Sequence, residues 1–192
     1  MSDLAIDPKT TALVVIDLQK GIVAAATAPH SAVNVVQRAA SLADACRTAG
    51  VAVILVHVDP GVNGLLFPRV QADKPRPPMT PPPDFAEIVS ELGPKPGDAV
   101  VTKHQPNAFY ATDLEVQLTR RGVRMIILCG IATQLGVEAT ARGAHERGYE
   151  QIFVEDATSS REEDLHRHAM TRILPTMGRV RSVEQVIRAL QS

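Results

Sequence analysis

The residues of this chain that are best suited to chemistry each follow a short apolar run of strand-forming residues. Each run predicts a buried β-strand, and the polar or glycine residue after it marks the carboxyl end of that strand. The five runs are residues 11–16, 51–56, 99–102, 123–128 and 151–154. In an open parallel sheet, ligands bind at the carboxyl ends of the strands. We therefore expect five segments to meet at one edge of the sheet: Asp17, His57, Lys103, residues 130–136 and Asp156.

Asp17 and Lys103 are the two of these residues that could form an acid/base pair. A carboxylate at the end of a buried strand loses hydration, which raises its pKa, and a nearby ammonium group lowers that pKa again. Such a pair in a cleft can serve as a positioned acid or base with electrostatic support. The same two residues could instead form an ion pair that only joins two strand ends.

Residues 128–140, with the sequence LCGIATQLGVEAT, change at a glycine from a strand pattern to a helix pattern. Backbone N–H groups at such a strand-to-helix turn can hold an anion or an oxyanion. We therefore expect the turn at residues 131–136 to be an anion-binding backbone site. The candidate substrate contacts in it are Ile131, Ala132, Thr133 and Gln134.

Five stretches of the sequence match motifs of one protein family. They are DLQ at 17–19, the lysine at 103 followed by NAFYATDLE at 107–115, GIAT at 130–133, TARGA at 140–144 with GY at 148–149, and VEDA at 154–157. These stretches follow one another in the family's order over residues 10–185. The chain therefore resembles the isochorismatase-like cysteine hydrolases.

The resemblance implies a role for several of these positions. Asp17 and Lys103 correspond to the first two members of the family's Asp-Lys-Cys triad, and Gly136 stands where most members have the catalytic cysteine. The Ile131–Ala132 bond corresponds to a non-proline cis peptide of the family. Gln19 belongs to the family's Asp-x-Gln motif and is added to the substrate-binding candidates. Phe109, from the second motif, could form a wall of the pocket or pack in the core.

Glycine at position 136 removes the thiol, so attack on an amide through a thioester is not available. Cys129 ends a buried strand and Cys46 lies within a predicted helix, so both are assigned to core packing. By the resemblance, isochorismatases also have glycine here and hydrolyse a vinyl ether with the aspartate as the proton donor. This chain departs from their Tyr-Ala-His-x-Gly turn, because Ala132 and Gln134 replace the tyrosine and the histidine.

The sequence therefore predicts a hydrolase that acts on a small anionic molecule by acid/base hydrolysis, with Asp17 as the acid/base and Lys103 as its electrostatic partner. Asp17 could also act as a base that activates water toward an ester or amide. The alternative from a different class is a catalytically inactive small-molecule-binding or assembly protein that keeps the hydrolase fold. Arg142 and Arg69 could bind a substrate carboxylate, although solvated surface arginines are the commoner case.

No cofactor and no metal site are predicted. The order His57-Val58-Asp59 reverses the Asp-x-His pattern of the nicotinamidases in the resembled family. His166 and His168 are two residues apart on a predicted helix, so their side chains point in different directions. His30 is isolated in the sequence.

Continuous apolar runs that alternate with helical patterns are typical of a parallel sheet covered on both faces. We predict a three-layer α/β/α fold around one open, mainly parallel sheet of five to six strands, in a single domain spanning residues 1–192. Residues 60–96 contain most of the fourteen prolines. This segment is expected to be a lid over the site or an oligomer contact, in which residues 85–92 could form a short helix.

The composition excludes several classes of partner. The formal net charge is −1 and the charges are scattered, which does not favour binding to nucleic acid. The apolar runs are as short as strands, so no membrane span is predicted.

The N-terminal residues show no secretory signal, and two cysteines make no disulfide framework, so a cytoplasmic location is expected. The resemblance implies a homodimer or homotetramer.

Overall fold

Six parallel strands form a single sheet in the computed structural model of the chain, which describes residues 4–67, 70–75 and 79–191. The sheet order is β3-β2-β1-β4-β5-β6. The strands are β1 (Thr11–Ile16), β2 (Ala52–Val58), β3 (Ala99–Lys103), β4 (Met125–Ile131), β5 (Glu150–Ser159) and β6 (Arg179–Arg181). All five pairings between neighbouring strands are parallel.

Helices connect these strands and cover both faces of the sheet. They are α1 (Lys20–Val23), α2 (Ala32–Ala49), α3 (Leu114–Arg120), α4 (Glu138–Glu146), α5 (Glu163–His168) and α6 (Val183–Leu190). A wider π-type turn, Thr133–Val137, leads from the end of β4 into α4, and a second one, Ala169–Ile173, continues α5.

Successive residues of β1 point to opposite faces of the sheet, as the pleat of a strand requires. Leu13 and Val15 belong to the hydrophobic core that the sheet forms with α2 and α6. Val14 and Ile16 belong to a second core, which the sheet forms with α3 and α4. All six residues of β1 are buried, because both faces are covered. The predicted three-layer α/β/α fold is therefore confirmed.

The strand order reverses between β1 and β4, which are neighbours in the centre of the sheet. In doubly wound sheets the crevice for a ligand opens at this reversal, beyond the carboxyl ends of the strands. The segments that follow β1 and β4 begin at Asp17 and at Ala132. The fold thus places the predicted acid and the predicted turn side by side.

Two expectations about local structure were wrong. Strand β5 has ten residues rather than the four of its apolar run, because a bulge carries it onward to Ser159. Residues 85–92 form turns rather than a helix, and Ile88 makes an isolated antiparallel bridge with Gln19.

Within the described residues, no helix is both long and apolar enough to cross a membrane.

Candidate functional site

A cavity of about 120 Å³ lies at the carboxyl ends of β1, β3 and β4. Five of the nine predicted site residues line it: Asp17, Lys103, Ile131, Ala132 and Gly136. The peptide bond between Ile131 and Ala132 is cis, as the family resemblance implied. The sequence and the fold therefore agree on where a ligand would be held.

Asp17 and Lys103 form a buried ion pair in the wall of this cavity. Lys103 Nζ donates a hydrogen bond of 2.8 Å to Asp17 Oδ2, and the two side chains are 8% exposed or less. Asp17 Oδ1 is buried and has no hydrogen-bond partner among the described residues. Burial raises the pKa of Asp17 above its usual value, although Lys103 and, less strongly, His57 act to lower it.

The backbone of Asp17 is itself unusual. Its φ angle is +55°, in the left-handed region that non-glycine residues seldom occupy and that costs about 1–3 kcal/mol. A hydrogen bond of 2.8 Å from Asp17 N to Val56 O, on the neighbouring strand, holds this conformation. The chain therefore turns sharply after β1, and the Asp17 carboxylate is directed toward Lys103.

Gly136 lies against this ion pair. A Cβ atom added at position 136 would be 3.0 Å from Asp17 Oδ2, 3.5 Å from Lys103 Nζ and only 2.8 Å from Ile16 Cγ2. The last distance is shorter than a carbon–carbon contact allows, so a side chain there would displace its neighbours. Position 136 thus borders the Asp17–Lys103 pair, and it contributes no nucleophile.

The two cysteines do not replace the missing thiol. Cys46 and Cys129 are both fully buried in the core between the sheet and α2, and neither lines the cavity. Burial raises the pKa of Cys46 to about 12 and raises that of Cys129 as well. A thiol must ionise to act as a nucleophile, so both are inert at neutral pH.

Backbone N–H groups of the turn are partly used within the turn itself. The N–H groups of Leu135 and Val137 both donate to Ala132 O, at 3.1 and 3.3 Å. These two donors are therefore committed to an internal acceptor. The expectation of an anion site made of backbone N–H groups receives no support from them.

Gln19 is completely buried and does not line the cavity. Its side-chain amide donates to Val58 O at 2.8 Å and to Phe85 O at 2.9 Å, and its Oε1 accepts from Val58 N at 2.7 Å. The amide thus has no group left for a substrate. Gln19 instead fastens the proline-rich segment, through Phe85, to the end of β2.

Three other predicted contacts also lie outside the cavity lining. Phe109 stacks on Tyr149 at 5.9 Å. Gln134 Oε1 accepts a hydrogen bond of 2.6 Å from Ser160 Oγ. Thr133 is buried, and its Oγ1 lies 2.8 Å from Nδ1 of a histidine on α5. These side chains pack and position the elements around the cavity.

His57 and Asp156 do not line the cavity either, and the ends of β2 and β5 reach it through Val58 and Arg161 instead. Both ring nitrogens of His57 are bound, to Ala86 O and to Thr102 Oγ1. Asp156 pairs with Arg38 on α2 and accepts from the backbone N–H of Val183. The bulge in β5 places Asp156 before the end of the strand, beside α2 and α6.

Arg161 and, from the proline-rich segment, Phe67 are among the residues of the cavity wall that were not predicted from the sequence. Arg161 follows the true end of β5, which lies five residues beyond the end of its apolar run. Its guanidinium donates to Ala26 O and Ile22 O, and no carboxylate of the described residues pairs with it. Arg142, proposed as an anion ligand, pairs instead with Glu138, and Arg69 lies outside the described residues.

A second polar cluster lies behind the turn, outside the cavity lining. His30 Nε2 is 2.9 Å and His166 Nε2 is 3.2 Å from the same oxygen, Glu155 Oε1. Hydrogen bonds from His166 and His30 lower the pKa of Glu155 to about 2. His30 is isolated in the sequence, but folding brings it close to His166, which lies far away along the chain.

Known proteins resemble this chain in sequence and in structure over almost its whole length. A model of the isochorismatase domain matches residues 11–185. The isochorismatase family protein YecD of Escherichia coli O157:H7 is 43% identical over 187 residues, which cover 97% of this chain and 100% of YecD. The structure of an isochorismatase family protein from Burkholderia thailandensis matches with a TM-score of 0.94 and 43% identity, over 100% of both chains. The ureidoacrylate amidohydrolase RutB of Methylobacterium radiotolerans is 32% identical, over 97% of this chain and 82% of RutB.

Proposed function

The chain belongs to the isochorismatase family of hydrolases, and we propose that it hydrolyses a small anionic molecule by acid catalysis from Asp17, without a cysteine nucleophile. The observation that carries this proposal is Asp17 Oδ1, a buried carboxylate oxygen without a hydrogen-bond partner among the described residues. Leaving such an atom unsatisfied costs stability. A role in proton transfer at the cavity accounts for that cost.

Acid catalysis suits the hydrolysis of an enol ether, because this reaction needs no covalent intermediate between substrate and enzyme. Asp17, protonated at Oδ1, transfers its proton to the alkene carbon, and Lys103 at Oδ2 stabilises the carboxylate that results. Water adds to the oxocarbenium carbon and returns a proton to Asp17. The hemiketal then separates into a carbonyl compound and an alcohol. Burial, which raises the pKa of Asp17, favours the protonated acid that starts this sequence.

The charge and size of the substrate follow from the wall of the cavity. Arg161 has several N–H donors and no carboxylate partner among the described residues, so it can bind a carboxylate of the ligand. The volume of about 120 Å³ would hold about four water molecules. We therefore propose a compact carboxylate as the substrate.

Hydrolysis of an ester or amide is the second enzymatic candidate. In that reaction the ionised Asp17 removes a proton from water, and the water attacks a carbonyl carbon. The similarity to RutB, which is named as an amidohydrolase, favours this candidate. The raised pKa of Asp17 favours the acid instead, because a weak acid holds its proton over a wider pH range.

Product analysis in isotopic water distinguishes the two reactions. Small carboxylates carrying an enol ether, an ester or an amide are incubated with the protein in deuterium oxide and, separately, in ¹⁸O-labelled water. We expect turnover of an enol ether, with one deuterium on the former alkene carbon and ¹⁸O in the new carbonyl group. Turnover of only esters or amides, with no carbon-bound deuterium, would assign Asp17 the role of a base.

The anion site is tested by Arg161→Gln, with Arg142→Gln on the surface of α4 as the matched control. We expect Arg161→Gln to raise KM for a carboxylate substrate by about tenfold, the loss of one charge-assisted hydrogen bond, with kcat little changed. An equal KM in wild type and Arg161→Gln would remove this residue from the site.

The inactive binding or assembly protein remains the alternative of a different class. Binding of the same carboxylates in a thermal-shift assay, with no product from any of them, would support it. The homodimer or homotetramer and the cytoplasmic location stay predictions. Light scattering of the purified protein checks the first.

A further inference from the structure

Three side chains that are remote in sequence converge behind the turn that leads from β4 to α4. They are His30 from the loop before α2, Glu155 from β5 and His166 from α5, here called the His–Glu–His cluster. Their two Nε2 atoms and one carboxylate oxygen all lie within 4.8 Å of one another. The mechanism proposed above uses none of the three, and none lines the cavity.

A local distortion of the sheet brings Glu155 into this cluster. Between two pairs of facing residues, Leu128↔Phe153 and Gly130↔Thr158, β4 advances by two residues while β5 advances by five. The extra residues of β5 form a bulge, and Glu155 lies in it. Bulges redirect side chains that a regular strand would place elsewhere. The fold therefore departs from a regular sheet at the position that carries this carboxylate.

We propose that the His–Glu–His cluster binds one divalent transition-metal ion, with Zn²⁺ as the ion that fits its donors. Two imidazole nitrogens and one carboxylate oxygen are ligands that zinc accepts, with positions left open for water. The Nε2–Oε1 separations are 2.9 and 3.2 Å. Ligands bonded at about 2.0–2.1 Å in tetrahedral or octahedral geometry are about 2.9–3.4 Å apart. Two of the three donor separations are thus those that a small ion requires, and the two histidine nitrogens lie within 4.8 Å of each other.

The cluster is also accessible to an ion from solvent. The side chain of Glu155 is 38% exposed and that of His30 is 26% exposed, whereas His166 is almost fully buried. His166 is therefore held inside the protein, and Glu155 and His30 can be reached by an ion from solvent. This proposal departs from the sequence-based expectation of a chain without a metal site.

A neighbouring hydroxyl group can orient the buried ligand. His166 Nδ1 lies 2.8 Å from Thr133 Oγ1. With an ion on Nε2, neutral His166 carries its proton on Nδ1 and donates it to Thr133 Oγ1, the outer contact that metal-bound histidines commonly make. Thr133 directly follows Ala132, which lines the cavity. The ion would thus join β5, α5 and the loop before α2 to the turn that forms the cavity wall.

Calorimetric titration of the full chain with Zn²⁺, after treatment with a chelator, tests this proposal. We expect one ion per chain, and Co²⁺ at the same site should give visible d–d absorption that excess Zn²⁺ abolishes. Glu155→Gln and His30→Gln should each weaken Zn²⁺ binding at least tenfold. These ligands are part-exposed, so both variants are expected to fold, and circular dichroism checks this.

His168→Gln is the matched control, since His168 is exposed on the same helix as His166. It should leave Zn²⁺ affinity unchanged. No Zn²⁺ binding by wild type would overturn the proposal and leave the cluster as a set of hydrogen bonds. Equal Zn²⁺ affinity in wild type, Glu155→Gln and His30→Gln would also overturn it, because the ion would then be bound elsewhere.

Discussion

Two ion pairs, each with a buried carboxylate, lie at opposite ends of the sheet. At the carboxyl end, Lys103 Nζ binds Asp17 Oδ2, and Asp17 Oδ1 is left without a partner among the described residues. At the amino end, Asp98 precedes β3 and pairs with Arg47 of α2. Asp98 Oδ1 accepts from Arg47 Nε, and Asp98 Oδ2 accepts from Arg47 Nη2 and from the backbone N–H of Lys95.

The difference between the two pairs separates a structural role from a chemical one. A buried carboxylate whose two oxygens are both bound contributes to stability and has little capacity left for a ligand. A buried carboxylate with one unsatisfied oxygen lowers stability and keeps that oxygen available for a proton. The two pairs are therefore expected to respond to the same substitution in opposite ways.

The largest effect is expected from Asp17→Asn, which removes the acid while keeping an oxygen for Lys103 Nζ. Loss of one positioned acid should lower kcat/KM by about 10²–10⁴. The melting temperature should stay close to that of wild type, because the unsatisfied carboxylate contributes little to stability. Steady-state kinetics and a thermal melt measure both quantities, and turnover equal to wild type would remove Asp17 from the mechanism.

Asp98→Asn is the matched substitution at the other end of the sheet. Breaking an ion pair that joins a buried carboxylate to a part-buried arginine should lower the free energy of unfolding by about 2 kcal/mol. For a chain of this size the melting temperature would fall by about 4–8 °C. At a temperature where the variant is folded, kcat/KM should be unchanged. A stable variant with impaired turnover would contradict the division of roles.

The pH profile tests the charge state of the Asp17–Lys103 pair. An acid acts in its protonated form, so kcat/KM should fall tenfold per pH unit above the raised pKa of Asp17. Lys103→Met removes the main group that lowers this pKa, so the falling limb should move to higher pH. If kcat/KM instead increases as the pH rises through this pKa, Asp17 acts as the base of ester or amide hydrolysis.

The smallest effect is expected from thiol modification. Cys46 and Cys129 are buried, and burial raises the pKa of both thiols, so iodoacetamide at neutral pH should leave turnover unchanged. Mass spectrometry of the intact folded chain should show no alkylation, and the unfolded chain serves as the positive control. Inactivation that accompanies alkylation would place a thiol in the reaction.

Arg161 shows why part of the site was hidden from the sequence. Strand β5 was predicted from its apolar run, which ends at Val154, so Asp156 was taken as the residue at the sheet edge. The bulge prolongs the strand to Ser159 and moves the edge to Arg161. Residues within the bulge pair with distant segments, and no local pattern of apolar residues records this.

Gln19 and Phe109 show the converse case, in which residues predicted to contact the substrate contact other parts of the protein instead. The sequence motifs placed both residues near the site, and both are buried, but neither lines the cavity. Whether a buried side chain contacts a ligand or its own protein depends on which hydrogen bonds and packing contacts are already made. For Gln19 these are Val58 and Phe85, partners that lie on other segments of the chain.

The sequence by itself determined the parallel sheet, the end of each of its first four strands to within three residues, and the place of Asp17, Lys103 and Gly136 at the cavity. These features are local, because an apolar run specifies burial and the residue that ends it specifies the edge. Only the tertiary structure decided which carboxylate oxygen lacks a partner, which arginine reaches the cavity and which histidines meet. Those outcomes depend on contacts between segments as far apart as Asp17 and Lys103, 86 residues along the chain.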